Sequence, residues 1–393
     1  MPYLADTGLL CSLGSSRGEV TMNLQGLSGP DVQSQVMRLD DNGRIVGRIE
    51  ADLSPLEKDL SPYDCRNNRL TAAALEQIRQ SINAVIDRYG TNRIGVVMGT
   101  STSGIGASEQ AVRALAETGD YPPGYDAVQG ALGGLGEFVA HYLGLNGPAF
   151  TVSTACSSSG NALIAARRLI RLGLCDAVIT GGVDSLCELT LQGFSSLEAL
   201  SASNSRPFTA SRDGLNVGEA AAVFLLNNKP GPIRFCGGAC TSDAYHISAP
   251  HPQGRGAHAA MKGALEDAEL EPSSISYLNL HGTGTPHNDS MESAAVYRLF
   301  GDRLPCSTTK PFTGHTLGAA AALELAFCWL LLNETKPVQL PPTVGLETRD
   351  LELAPIWLVA PNDGPVRALE YCMSNSFAFG GNNVSLIIGR TDA

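Results

Sequence analysis

The sequence contains no run of three lysines or arginines, no CxxC pair and no unbroken apolar stretch long enough to span a bilayer. Each absence removes a class of function. With 39 acidic against 27 basic residues, a formal net charge of −12 and no concentrated basic run, the chain is not built to hold a phosphate backbone, so nucleic acid is not an expected partner. The ten cysteines are scattered, and the closest pair, Cys236 and Cys240, lies in a Gly/Ala-rich run with no second ligand pair beside it. Reduced structural thiols are expected there, with neither a metal site nor a disulfide framework. The longest apolar stretches, Ala319 to Leu323 and Ala326 to Leu332, are interrupted by Glu324, whereas a membrane span needs about 20 apolar residues. The N-terminus, MPYLADTGLLCSLG, has no basic region ahead of its apolar residues and does not read as a secretory signal, which makes the cytoplasm the expected location.

What is present is an ordinary globular composition, 43% apolar and 17% charged, over 393 residues, enough for two domains or one of double size. Short buried strands followed by helices recur, which predicts an α/β fold. Strands are expected at Arg93 to Met98, at Ala149 to Ser153, and at Asp176 to Thr180, the last closed by Gly181 and Gly182. The apolar run Ala220 to Leu226 is followed by NNKPGP, a string of turn formers, and a boundary between two half-chains, 1–228 and 229–393, is placed there. The second half repeats the rhythm: a strand at Ile233 to Cys236, a helix from Gly256 to Ala268, a strand at Ser276 to Leu280, a helix beginning near Ser290 and another from Leu317 to Leu332. The end of the chain reads as an antiparallel pair, Ala368 to Ser374 and Val384 to Ile388, joined by the FAFGGNN turn.

The strand AFTVST breaks into a helical segment at TACSSSGNAL, placing Cys156 at or just before a helix N-terminus. Unpaired N–H groups and the positive end of the helix dipole there favour thiolate, so a lowered thiol pKa is expected. Ala155, Ser157, Ser158, Ser159 and Gly160 are small enough to leave a substrate room beside the sulfur. Only seven histidines occur, and two of them, His281 in HGTGTPHND and His315 in KPFTGHTLGAAAALE, stand in turns rich in Gly and Thr at a strand end and ahead of a helix. Such positions are where α/β proteins build sites.

Together these segments resemble the elongating β-ketoacyl-(acyl-carrier-protein) synthases of the thiolase superfamily. The correspondence comprises TACSSS around Cys156, RPFTASRDGLNVGEA from Arg206, HGTGTPHND from His281, Lys310 to His315, and NSFAFGGNNVSL from Asn375. The resemblance implies a thiolase fold, two similar βαβαβαββ halves stacked in five layers (α-β-α-β-α). It implies that Cys156 accepts an acyl chain and that His281 and His315, as neutral imidazoles, act on a malonyl group. Lys310 and Glu324 would form a buried pair behind them, and the N–H groups of Cys156 and Phe379 an oxyanion hole. Thr283 and Thr285 would bind the pantetheine arm, Phe377 and Ile105 the acyl chain, and Arg66 and Arg69 the carrier protein. No separate cofactor is implied, since substrates ride on the phosphopantetheine of the carrier. Carrier proteins are acidic, so docking to so acidic a chain would rest on a small local basic patch. A dimer is implied, with a second copy or with a chain-length-factor homologue.

The chain also departs from the family pattern. AFGG stands where GFGG is usual, GEAAA replaces GEGAG at Gly218 to Ala222, and ALSASNSRPF offers only Arg206 as a basic residue. These departures suggest an aryl-polyene or type II polyketide system over housekeeping fatty-acid synthesis. Two alternatives remain: a chain-length-factor-like subunit without catalysis, which typically lacks the nucleophile, and a thiolase-type acyltransferase, which needs a second cysteine that the FAFGG turn lacks. A starter-type synthase would pair its cysteine with one histidine and an asparagine, and a cysteine hydrolase would need an Asp or Asn orienter not recognisable here.

Overall fold

The structure is a computed structural model that describes residues 2–28, 32–366 and 369–391. Ten strands build the principal sheet system: β1 (Tyr3–Leu10), β2 (Ile94–Gly99), β3 (Ala149–Val152), β4 (Ala177–Asp184), β5 (Ala220–Asn227), β6 (Ile233–Ser242), β7 (Tyr277–Asn279), β8 (Cys306–Ser307), β9 (Tyr371–Phe377) and β10 (Asn382–Arg390). Their order is β8-β7-β9-β10-β6-β1-β5-β4-β2-β3. Counted outward from the centre, the first five strands run β1-β5-β4-β2-β3 and the second five β6-β10-β9-β7-β8, the same sequence of steps twice. In each set the inner pairs are antiparallel and the outer ones parallel. A single register pair, Tyr3 with Arg234, joins the sets.

Eight helices matter for the site: α1 (Arg66–Glu76), α2 (Ile105–Thr118), α3 (Gly134–Leu143), α4 (Ser158–Arg171), α5 (Glu188–Ser196), α6 (Arg255–Ala268), α7 (Pro286–Phe300) and α8 (Ala320–Asn333). α4 and α8 touch each other and strands of both sets, so they form a middle layer; α1 and α3 cover the outer face of the first set, α6 and α7 that of the second. Position explains composition. α8 is buried from Ala320 to Leu332, which requires a helix apolar all round, and Glu324 is its one charge within that stretch. β4 and β5 are covered on both faces and buried along their whole length. Among the described residues no helix is long and apolar enough to cross a membrane.

Several boundaries differ from expectation, among them the strand expected at Ile233 to Cys236, which runs on to Ser242. β4 does not close at Gly181 and Gly182 but runs through them to Asp184. These glycines mark close packing instead of a turn: a Cβ on Gly181, at φ +147°, would meet Ala222 O at 2.0 Å, and one on Gly182 the Ser159 side chain at 2.4 Å. The helix expected near Ser290 starts at Pro286, where a missing N–H costs nothing. Ala368 lies outside the described residues, and the strand expected from it is described as Tyr371–Phe377, antiparallel to Asn382–Arg390. The alanines of GEAAA fit without strain of the kind their size suggests, because Ala220 to Ala222 lie inside β5; Gly218 is the position without room, a Cβ there meeting Thr313 O at 2.0 Å.

Candidate active site

The corner between β3 and α4 carries Cys156 two residues ahead of the helix. Ala155 adopts φ 51°, an uncommon value for a residue with a Cβ, and so turns the chain sharply from strand to helix. Ser158 locks the corner, its Oγ accepting from Thr154 N–H at 2.8 Å and donating to Ala155 O at 2.6 Å. The small residues that follow do not make room for substrate. Ser157 to Ser159 are wholly buried, and a Cβ on Gly160 would meet Val384 at 2.7 Å and Ala321 at 3.2 Å, so their size lets α4 press against β10 and α8.

Access comes from the other side. A cavity of about 470 Å³ reaches Cys156 past His281, His315, Thr283, Thr285, Phe377 and Phe379. His315 Nε2 lies 2.9 Å from Cys156 Sγ, and the two imidazoles meet edge to face with centroids 5.2 Å apart. The thiol is not acidified in this state. Burial pushes its pKa up to about 12, against the expectation from the helix terminus; the Lys310 charge and the N–H groups of Phe379 and Cys156 itself pull the other way but do not prevail. Burial and the neighbouring Lys310 ammonium hold both histidines well below the usual imidazole range, and His315 adds to the effect on His281. Both rings are therefore neutral near pH 7, as the sequence led us to expect.

Lys310 Nζ and Glu324 Oε1 pair at 2.5 Å, each side chain 2% exposed. Burial raises Glu324 to about 7 even with the ammonium beside it. The 379–381 turn holds Gly380 at φ 82° and Gly381 at φ 78°, and is tied to the facing loop by Gly380 N–H to Ile247 O at 2.7 Å and Asp243 N–H to Gly381 O at 2.8 Å. Ala378, the departure from GFGG, sits at φ −97°, where a methyl group costs nothing. Thr283 and Thr285 hydroxyls share a hydrogen bond of 3.0 Å on the cavity wall.

Other expected residues are not brought to the cavity. Ile105 is half-buried at the start of α2, outside the residues that line it. Arg66 grips the fully buried carboxylate of Glu219, with contacts of 2.9 and 2.5 Å, and donates to Ile49 O; Arg69 pairs with Asp64 at 2.5 Å. Both arginines thus have internal carboxylate partners, and each keeps about a third of its side chain exposed. Cys372, the nearest cysteine to the turn, is buried in β9 against Cys328 and is not part of the cavity wall, so a second thiolase-type cysteine is not supplied.

Three buried carboxylates were missed. Glu292 on α7 accepts the N–H groups of His281 at 2.8 Å and Gly282 at 2.7 Å, and burial raises it to about 7. Asp289, one turn earlier, accepts from Phe208 and Gly284 N–H and stands at about 6 for the same cause. Asp184 gathers the Thr100, Ser101 and Thr102 hydroxyls and the Gly318 N–H at 2.6 Å, joining the loop after β2 to the turn after His315. The sequence signal for the first two was an i, i+3 acidic pair just after a Gly/Thr-rich turn. Asp184 left none, because its donors come from residues more than 80 positions away.

Similarity to known proteins agrees with this geometry. The β-ketoacyl synthase N-terminal domain matches residues 66–230 and the C-terminal domain residues 234–347. The chain is 34% identical over 343 residues to 3-oxoacyl-[acyl-carrier-protein] synthase 2 of Synechocystis sp., covering 82% of this chain and 81% of that one. The enzyme of the same name from Staphylococcus aureus is 33% identical over 350 residues, 84% and 83% of the two chains. In three dimensions it superposes on a ketosynthase, ApeO, solved in complex with its chain length factor, ApeC, from Xenorhabdus doucetiae, with a TM-score of 0.91 and 42% identity over 99% of this chain and 98% of that one. With the corner at Cys156, the histidine pair and the doubled five-strand arrangement in place, the chain belongs to the β-ketoacyl synthases, a family of acyltransferases.

Proposed function

We propose that this chain is a catalytic 3-oxoacyl-(acyl-carrier-protein) synthase in which Cys156 takes an acyl group from a carrier-bound thioester and condenses it with a malonyl thioester. The observation that carries the assignment of roles is the convergence of one sulfur, two neutral imidazoles and the Phe379 N–H in a single cavity. In the loading step Sγ attacks the thioester carbonyl, its proton leaves with the departing pantetheine thiolate, and the oxyanion is held by the N–H groups of Cys156 and Phe379. Such a thiol, raised to about 12, is activated when substrate arrives instead of standing ionised in the free protein. In the second step the malonyl carboxylate leaves as CO2, and the electron pair of the broken C–C bond moves to the thioester oxygen as an enolate. His281 and His315 donate to that oxygen; neutral donors suit it, because their N–H is a far weaker acid than an imidazolium's and so stabilises the enolate without protonating it. The enolate carbon then attacks the acyl carbonyl, the C–S bond breaks, and the 3-oxoacyl thioester leaves on its carrier while Sγ recovers a proton.

The chain divides functionally at 228/229, in this reading, with the nucleophile in the first half and the histidines and lysine in the second. We place it in an aryl-polyene or type II polyketide pathway in the cytoplasm, as the active member of a dimer. The likeness to a ketosynthase solved in complex with its chain length factor supports a heterodimer, and the intact pairing of Cys156 with His315 argues that this chain is not itself the factor. β3 is the natural seat of the mate: it is an edge strand with Phe150 39% exposed, and edge strands left open invite pairing. Ile105, outside the cavity, would reach the acyl chain only if a tunnel continued toward the mate. The test is direct: incubated with acyl- and malonyl-carrier protein, the protein should gain an acyl mass on the Cys156 peptide and release CO2 and a 3-oxoacyl product in equal amounts. An adduct on another residue, or CO2 release without product, would sink the assignment.

A further inference from the structure

The mouth of the cavity has two unlike flanks. From the first half it is edged by Glu198 and Asp213; from the second, by His246 and His287. Beyond the second flank lies a cluster of cations that the catalytic reading leaves unused. Arg255, His258 and Lys262 occupy positions i, i+3 and i+7 of α6, one stripe of the helix, and Arg298 stands beside them on α7. Gln253 joins the two elements, its Oε1 accepting from Arg255 Nε at 3.1 Å and its backbone O from Arg298 at 2.9 Å. His258, half-buried, is held below the usual imidazole range first by burial and then by Arg298 and Lys262, which places those charges around it.

The arginines and the lysine are exposed, and little acid offsets them. Both carboxylates of α7, Asp289 and Glu292, are turned into the interior, so its outer face carries none. On α6 only Glu266 answers Lys262, at 3.5 Å with both side chains more than 60% exposed, a pair of small worth. Arg255 and Arg298 hydrogen-bond a neutral partner, whereas Arg66 and Arg69 are engaged by carboxylates. The patch is also in the right place. Pro250 on the cavity wall is five residues from Arg255, and α7 starts at the wall with Pro286 to Asn288, so Arg298 lies about 16 Å along its axis. That is about the radius of a contact of ~800 Å² per partner.

We propose that Arg255, Lys262 and Arg298 form the docking surface for the acidic carrier protein that presents its thioester to the Cys156 cavity. The proposal rests on the function inferred above, in which substrates arrive on such a carrier. Its physical basis is locality: at physiological ionic strength charges farther than about 8 Å apart are largely screened, so the carrier senses this patch and not the chain's net charge of −12. The acidic first flank repels it, which orients it onto the second.

The experiment compares wild type with the triple charge reversal Arg255→Glu, Lys262→Glu, Arg298→Glu, using acyl-carrier protein and a carrier-free acyl-pantetheine thioester as donors to Cys156. Reversal should raise KM for the carrier-borne donor about tenfold or more at low ionic strength with kcat nearly unchanged, and added salt should narrow the gap. Loading from acyl-pantetheine should be equal in the two proteins, which also certifies the fold. Equal KM for carrier in both would overturn the docking surface and leave the condensing function standing, and so would a matching loss with the carrier-free donor. A wild-type protein that loads from neither donor would overturn the function itself, and the docking surface with it.

Discussion

In the first half of the chain the third strand, β3, leads through a corner to Cys156 and the central helix α4; in the second half the third strand, β8, leads through Lys310 and His315 to the central helix α8. The two turns are counterparts, and because α4 and α8 share the middle layer their beginnings are brought face to face. Ser159 Oγ accepts from Ala322 N–H at 3.0 Å, and Cys156 meets His315 at 2.9 Å. The loops after the second strands correspond as well: the one after β2 is pinned by Asp184, the one after β7 by Glu292. The scaffold is thus doubled while the chemistry is divided. One half holds the Cys156 thiol and the other the two imidazoles and the buried Lys310 ammonium; in the function proposed above, the first carries the acyl chain and the others handle negative charge.

That division can be broken most severely at His315. His315→Ala should still take an acyl group at Cys156 but lose condensation on the order of a hundredfold or more, read as acyl-enzyme mass against 3-oxoacyl product. If loading and condensation fall together, His315 serves the sulfur as much as the enolate and the division between halves is not clean. Lys310→Met probes the cation that the second half supplies. It leaves the Glu324 carboxyl buried without its partner and should cost about 3–5 kcal/mol in urea denaturation, while Lys310→Met with Glu324→Leu should recover most of that stability without recovering activity. Full activity in the double variant would reduce the pair to packing.

A smaller effect is expected in the first half at Arg66. Arg66→Ala removes the partner of the fully buried Glu219 and should destabilise by about 1–3 kcal/mol, discounted because the arginine end is itself more than a third exposed. KM for carrier-bound substrate should not move, and a salt-sensitive rise would return docking to α1. The mildest test leaves the sequence intact. With the Cys156 thiol raised to about 12, its alkylation by iodoacetamide should climb with pH through pH 9, since the reactive thiolate fraction keeps growing below the pKa. A plateau near neutral pH would mean that the helix terminus and Lys310 outweigh burial in the free protein.

Much of this was legible in the chain itself. Alternating short apolar strands and helices announced the layered fold, and the Gly/Thr-rich settings of His281 and His315 marked them out from the other histidines. Local chemistry also foretold the corner at Cys156, because small residues after a strand permit a tight strand-to-helix turn. The same small residues misled on one point, since glycine and serine record close approach without saying what approaches: for Gly160 it is Val384 and Ala321, not substrate. Arg66 illustrates a related limit. A charge in sequence is free until its partner is known, and Glu219 lies 153 positions away.

The sequence by itself determined the elements and the corner at Cys156, because each depends on neighbours within a turn or a strand; the neutrality of the two histidines, set by burial and Lys310, came only with the tertiary structure. Tertiary structure alone decided that Cys156 and His315, 159 residues apart, stand at 2.9 Å, that Lys310 meets Glu324, and that Asp184 and Glu292 pin the flanking loops. It decided too that the thiol rests un-ionised, since desolvation is a sum over every atom packed around the sulfur, and that sum exists only once both halves have closed on the middle layer.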